Sequence, residues 1–176
     1  MTVDVGGWDR TLVVLRHAKS DYPPGVPDHD RPLAERGRRD APVAGDWIAG
    51  HVPGPDAVLV SSALRTRETW ALAGGRLADP PAAIVEPRMY LASTGEFLAV
   101  LSGLPDEVGT VVVVAHNPGC EDVAADLAGP DPDPDSWQRM ITKYPTAAIA
   151  VLGLSGSWAD VGDAPSRLLS FAVPRA

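Results

Sequence analysis

The chain has 176 residues, 45% of them hydrophobic, and a net charge of −8 from 23 acidic against 15 basic side chains. That length suits a single domain, residues 1–176, with one sizeable core. The acidic balance excludes nucleic acid as a bulk partner, because a phosphate backbone needs clustered Lys and Arg. The one cysteine, Cys120, allows no intrachain disulfide and fits a reducing compartment. No apolar run approaches the ~20 residues of a membrane span, and MTVDVGGWDR has no basic segment leading into an apolar one. The expectation is a cytoplasmic protein with no membrane partner.

Residues 1–10 read as a loose polar lead-in. Thr11–Arg16 (TLVVLR) is a short apolar run of the kind that forms a buried parallel strand, and it ends in Arg16-His17. Ser20–Arg31 is a loop, because Pro23, Pro24, Gly25 and Pro27 exclude regular structure. Leu33–Gly50 has helical spacing in Ala34, Ala41, Ala44, Trp47 and Ile48, with Gly50 as its stop and Pro42 as an expected kink. A second strand, Ala57–Val60, runs into a helix from Ala63, which Ser61 or Ser62 can cap.

Ala82–Glu86 reads as a third strand and Thr94–Leu101 as a short helix. Thr110–Ala115 (TVVVVA) is the strongest strand signal, followed by His116-Asn117-Pro118-Gly119 and a helix to about Leu127. Gly129–Asp135 (GPDPDPD) reads as an irregular excursion. Thr146–Leu154 and Arg167–Val173 are two further strands with no helix between them, which suits an antiparallel pair at a sheet edge. Strands alternating with helices give an α/β fold with a mostly parallel, mixed-edge sheet.

Two of these strands end in histidine, His17 and His116, and a third feeds the helix that carries Arg65 one turn in. In open α/β sheets, ligands sit beyond the carboxyl ends of the strands. If the three strands are neighbours, Arg16, His17, Arg65 and His116 meet at one edge beside helix N-termini. That is an anion site containing a nucleophile: guanidinium forks match phosphate oxygens, and neutral imidazole attacks phosphorus. The two histidines have no carboxylate or cysteine at ligand spacing, so no metal and no cofactor is expected.

LRHAKS (15–20), DRPLAERG (30–37), SSALRTRET (61–69) and VVAHNPG (113–119), in that order, resemble the histidine phosphatase superfamily and its small SixA-like phosphohistidine phosphatase branch. The resemblance spans about Leu12 to Val151. It implies a phosphoglycerate mutase-like, three-layer α/β/α fold. It also implies that His17 is the nucleophile, that Arg16 and Arg65 bind the phosphoryl oxygens, and that His116 contacts the phosphate in the transition state. Asn117 helps to close the pocket, and Ser61 and Thr69 frame the helix that holds Arg65. The substrate class it implies is phosphohistidine on a protein. A small phosphate ester is the alternative, and a non-catalytic phosphate-binding protein of the same fold is the rival from another class.

The chain departs from the family pattern in two places. Ala18 stands where Gly often follows Arg-His, and only a short segment, Glu86–Glu96, replaces the insertion that carries the general acid of larger members. Asp21 and Asp30 are candidate proton donors by proximity alone, with Glu86 and Glu96 behind them; capping carboxylates are the alternative reading. Lys19 and Ser20 read as solvated loop residues, Arg67 as rim, His29 and His51 as structural, and the five tryptophans as packing.

Overall fold

The computed structural model describes residues 2–176. In chain order the elements are β1 (Arg10–Arg16), α1 (Glu35–His51), β2 (Ala57–Ser61), α2 (Leu64–Gly74), β3 (Ile84–Glu86), α3 (Thr94–Leu101), β4 (Thr110–Ala115), α4 (Gly119–Asp126), α5 (Pro134–Thr142), β5 (Ile149–Leu154) and β6 (Ser166–Ala172). The six strands form one sheet in the order β3-β2-β4-β1-β5-β6. Strands β3, β2, β4 and β1 are parallel; β5 runs antiparallel to β1, and β6 to β5. This is the mixed-edge α/β sheet that the strand and helix pattern predicts.

The two faces of the sheet follow strand alternation. Leu12, Val14, Val111 and Val113 pack with Phe97, Leu101, Val123 and Met140 from α3, α4 and α5. Val13, Leu15, Val112 and Val114 pack with Ala44, Ile48, Trp70 and Ala73 from α1 and α2. Every residue of β4 is buried, and each valine so placed contributes roughly 1.5–3 kcal/mol relative to exposure. A strand buried on both faces must be a continuous apolar run, which is why TVVVVA shows no polar alternation.

Several boundaries differ from the sequence reading. Helix α1 starts at Glu35, because the Leu33 N–H donates to the Glu68 carboxylate (2.6 Å) and Leu33 bridges Ser20. It runs on through Pro42 and ends at His51, with Val52 rather than Gly50 as its cap. Neither Ser61 nor Ser62 caps α2. The N-cap is Ala63, the Ser61 and Ser62 hydroxyls meet His116 and His29, and Thr66 Oγ1 donates to the carbonyls of Ser61 and Ala63.

The irregular excursion stops at Asp133, whose carboxylate accepts the Ser136 N–H and starts α5 with Pro134 at its first turn. Strand β5 starts at Ile149, since Ala147 turns the chain with φ 59° and donates its N–H to the Arg16 and His17 carbonyls. Within the lead-in, whose Met1 lies outside the described residues, the Val3 N–H donates to the His51 carbonyl (2.8 Å) and the Trp8 ring covers Gly153, so this segment is tied down rather than loose.

Gly45 and Gly37 are two of the glycines that let backbones touch. A Cβ on Gly45 would stand 2.2 Å from the Ala73 carbonyl oxygen, so α1 and α2 pack main chain to main chain there. A Cβ on Gly37 would stand 2.1 Å from the Lys19 carbonyl oxygen, which seats α1 under the loop that follows β1. Gly45→Val should therefore destabilise the fold by about 1–3 kcal/mol through overpacking. Gly50→Ala, with open space around it, should gain about 0.5–1 kcal/mol of helix stability. Thermal unfolding of the two variants checks this: an unchanged midpoint for Gly45→Val would contradict the close α1–α2 approach.

Candidate active site

The register of the central strands assembles the site. Arg16 pairs with Ala115 across β1 and β4, so His17 and His116 leave the sheet side by side. The His17 N–H donates to the Ala115 carbonyl (3.0 Å), and the two imidazole centroids lie 5.2 Å apart. On the other side of β4, Val60 pairs with Val114, which brings Ser61 beside this edge with its Oγ 2.7 Å from His116 Nε2. Helices α2 and α4 start here, so their positive N-terminal ends face the same place.

His17 is 8% exposed, and its Nδ1 lies 2.8 Å from the Ala18 carbonyl oxygen. A carbonyl only accepts, so Nδ1 carries the proton and the lone pair sits on Nε2. Burial, with Arg65, Arg16 and Arg31 adding to it, pushes the His17 pKa down to about 3. His116 is likewise pushed down to about 3, first by burial and then by His17 and Arg65. Its Nδ1 is buried without a partner. In the tautomer in which the Ser61 hydroxyl donates to Nε2, Nδ1 carries the proton and can hydrogen-bond an oxyanion.

Ala18, in place of the glycine common in the family, packs fully buried with Leu33, Ala41 and Ala147. Its N–H donates to Thr69 Oγ1 (3.0 Å), and that hydroxyl donates to the Arg65 carbonyl (2.6 Å). Thr69 thus ties the His17 loop to the helix of Arg65.

The cations are held at fixed points. Arg16 Nη1 donates to the Tyr144 carbonyl (2.7 Å), burial lowers its pKa, and its Nε is buried without a partner. Asn117 Nδ2 donates to Glu121 (2.9 Å) and to the same Tyr144 carbonyl (3.2 Å). Arg65 is buried, and it donates to Asp28 twice: Nη1 to the backbone oxygen (2.6 Å) and Nη2 to Oδ2 (3.1 Å). Asp28 also accepts from Tyr90 Oη (2.6 Å) and Arg31 Nη1 (2.7 Å). The Tyr90 bond, then Arg31 and Arg65, hold this carboxyl well below the usual carboxylate range, and the Asp28 bond raises the Tyr90 phenol.

The proton-donor candidates of the sequence lie elsewhere. Asp21 and Asp30 are exposed; Asp21 Oδ1 accepts the Tyr22 N–H, and Asp30 lies 3.3 Å from His29 Nδ1. Neither is bonded to Arg16, His17, Arg65 or His116. Glu86 holds Arg88 and Glu96 closes a capping box with Ser93. Lys19 and Arg67 are exposed, as read, but Ser20 is buried and accepts from Arg31 Nη2 (2.5 Å). Sequence reasoning missed Asp28, Arg31 and Tyr90. Arg31 lies inside the DRPLAERG motif and Asp28 two residues before it, yet nothing in the three nearby acids tells which one bonds Arg65.

Residues 12–90 match the histidine phosphatase superfamily (branch 1). The SixA protein of Nakamurella multipartitia is 34% identical with a TM-score of 0.82, over 95% of this chain and 97% of that one. The chain belongs to the histidine phosphatase superfamily. Within it, the chain sits in the SixA-like branch and is an enzyme with phosphatase activity. The protein histidine phosphatase SixA in complex with tungstate is 25% identical with a TM-score of 0.75, over 93% of this chain and 97% of that one. The Mycobacterium tuberculosis protein Rv1276c is 44% identical over 162 residues, 92% of this chain and 100% of that protein.

The depressed histidines give this phosphatase a pH signature. Unfolded, both titrate near 6.5; folded, near 3. Between those values the unfolded chain binds more protons, so stability falls as pH drops from 6.5 towards 3. Melting temperatures across this window should fall more steeply for the native protein than for His17→Gln. Equal slopes would show that the fold does not hold His17 neutral.

Proposed function

We propose that the enzyme works through a phosphohistidine intermediate on His17 and removes phosphate from phosphohistidine on proteins. The observation that carries this is the Ala18 carbonyl on His17 Nδ1, which leaves the Nε2 lone pair free among Arg16, Arg65 and His116. Nε2 attacks phosphorus in line, the bond to the leaving atom breaks, and its electron pair leaves with that atom. Water then attacks phospho-His17, the P–N bond breaks, and phosphate departs with His17 neutral again. Arg16, Arg65 and His116 Nδ1–H hold the equatorial oxygens, with Asn117 bordering the pocket beside His116. The chemistry needs no metal.

The protein substrate is supported by the SixA relatives and by the shape of the site. Tungstate, bound by one relative, is a tetrahedral oxyanion like phosphate. The floor residues His17, His116 and Arg65 are buried, while Asp28, His29 and Tyr90 at the mouth are partly exposed. A side chain carried on another protein reaches a floor of this kind from outside. We place the enzyme in the cytoplasm, as a single domain; among the described residues no helix is long and apolar enough to cross a membrane.

His17→Ala should abolish turnover of a phosphohistidine peptide and of p-nitrophenyl phosphate, and Arg65→Ala should slow both by about 10²–10³-fold. Radiolabelled substrate should leave an acid-labile label on the native protein and none on His17→Ala. Retained activity in His17→Ala would overturn the nucleophile, and absence of any label or turnover would favour a phosphate-binding protein. A panel that includes sugar and glycerol phosphates decides the substrate class: faster turnover of those esters than of the peptide would favour the small-molecule reading.

A further inference from the structure

His29 occupies a seat at the mouth of the site that its Pro-rich surroundings do not announce. It lies in the 3-10 turn Asp28–Asp30, whose first residue is locked to Arg65, Arg31 and Tyr90. His29 Nε2 lies 2.9 Å from Ser62 Oγ, and Nδ1 lies 3.3 Å from Asp30 Oδ1. The ring stands edge-on to Tyr90 with centroids 4.9 Å apart. Tyr90 in turn stands edge-on to His116 at 5.5 Å. Ser62 adjoins Ser61, which holds His116. His29 is therefore one aromatic ring away from His116, and its side chain is 40% exposed.

The geometry points to His29 as the proton donor to the leaving group, and as the base that activates water in the second step. This rests on phosphoryl transfer to His17. The other titratable groups around it are committed. Asp28 is held as a carboxylate by Tyr90, Arg31 and Arg65, and the Tyr90 proton is held by Asp28. His17 and His116 are neutral above about pH 3. Asp30 lies against His29 Nδ1 and keeps Nε2 as the working nitrogen. An imidazole can both give and take a proton, as the two halves of such a cycle require.

The steps balance. The His17 Nε2–P bond forms, the bond from phosphorus to the leaving oxygen or nitrogen breaks, and the electron pair left there takes the proton from His29. Neutral His29 then removes a proton from water as the water oxygen bonds to phosphorus. The P–Nε2 bond breaks, its pair returns to His17, and His29 is protonated again. In the resting site Nε2 rests on the Ser62 hydroxyl, so turning to the leaving atom exchanges one hydrogen bond for another.

The test compares two aryl phosphates on His29→Gln. The p-nitrophenolate ion leaves without a proton, whereas phenolate is a poor leaving group that gains from one. The ratio of phenyl phosphate to p-nitrophenyl phosphate turnover should fall by about 10²-fold relative to the native enzyme, the usual worth of general-acid help. The basic limb of the phenyl phosphate pH profile should disappear with it. Both substrates are measured on one preparation, so any loss of folded protein cancels in the ratio. An unchanged ratio, with both substrates slowed alike, would overturn the assignment and leave His29 a packing residue. That outcome is separable from failure of the nucleophile, which His17→Ala reports independently.

Discussion

Arg16 lies opposite Ala115 in the parallel pair β1–β4, and this register carries His17 and His116 out of the sheet as neighbours. A slip of one residue would turn each strand's side chains to the other face, and both faces here are filled by packed helices. The register is thus fixed by the core on both sides of the sheet. The chemistry inherits its precision from valines that never meet substrate. The same pairing, extended to β2, brings Ser61 to His116 and delivers the first turn of α2 with Arg65.

Three guanidiniums gather at this edge of a molecule whose net charge is −8. Each is held differently: Arg16 by the Tyr144 carbonyl, Arg31 by Ser20, Asp28 and the Tyr22 ring, Arg65 by Asp28. Asp28 is a resident anion that offsets two of them and keeps the forks oriented while still leaving positive potential over His17. A local positive site in an acidic surface draws phosphate inward while repelling polyanions elsewhere, which favours a single phosphoryl group over nucleic acid.

The central strands were legible because burial on both faces demands uninterrupted apolar runs, and Leu12–Leu15 and Val111–Val114 are such runs. That Arg16, His17, Arg65 and His116 come to one edge of the sheet was legible because each stands at, or within one helical turn after, the end of a strand. Helix α5 was hidden because PDSWQRMIT is mostly polar and its start is buried in a Pro-Asp repeat; only the Asp133 cap on Ser136 marks it. The α2 cap was misread because two serines compete for it, and the sequence does not show that His116 and His29 claim both hydroxyls. Asp28 escaped for a related reason. Which of several loop carboxylates is engaged depends on Arg65 and Tyr90, 37 and 62 residues further along the chain.

Cys120 stands at the start of α4, fully buried, with burial pushing its thiol up to about 12. A thiol so placed holds its proton and its distance from solvent, the two conditions under which sulfur resists peroxide and alkylating agents. The proposed nucleophile is a nitrogen, which has no comparable oxidation ladder. Enzymes that remove phosphate with a cysteine thiolate are silenced by oxidants; a phosphatase working through His17 would keep turning over its substrate under the same oxidants.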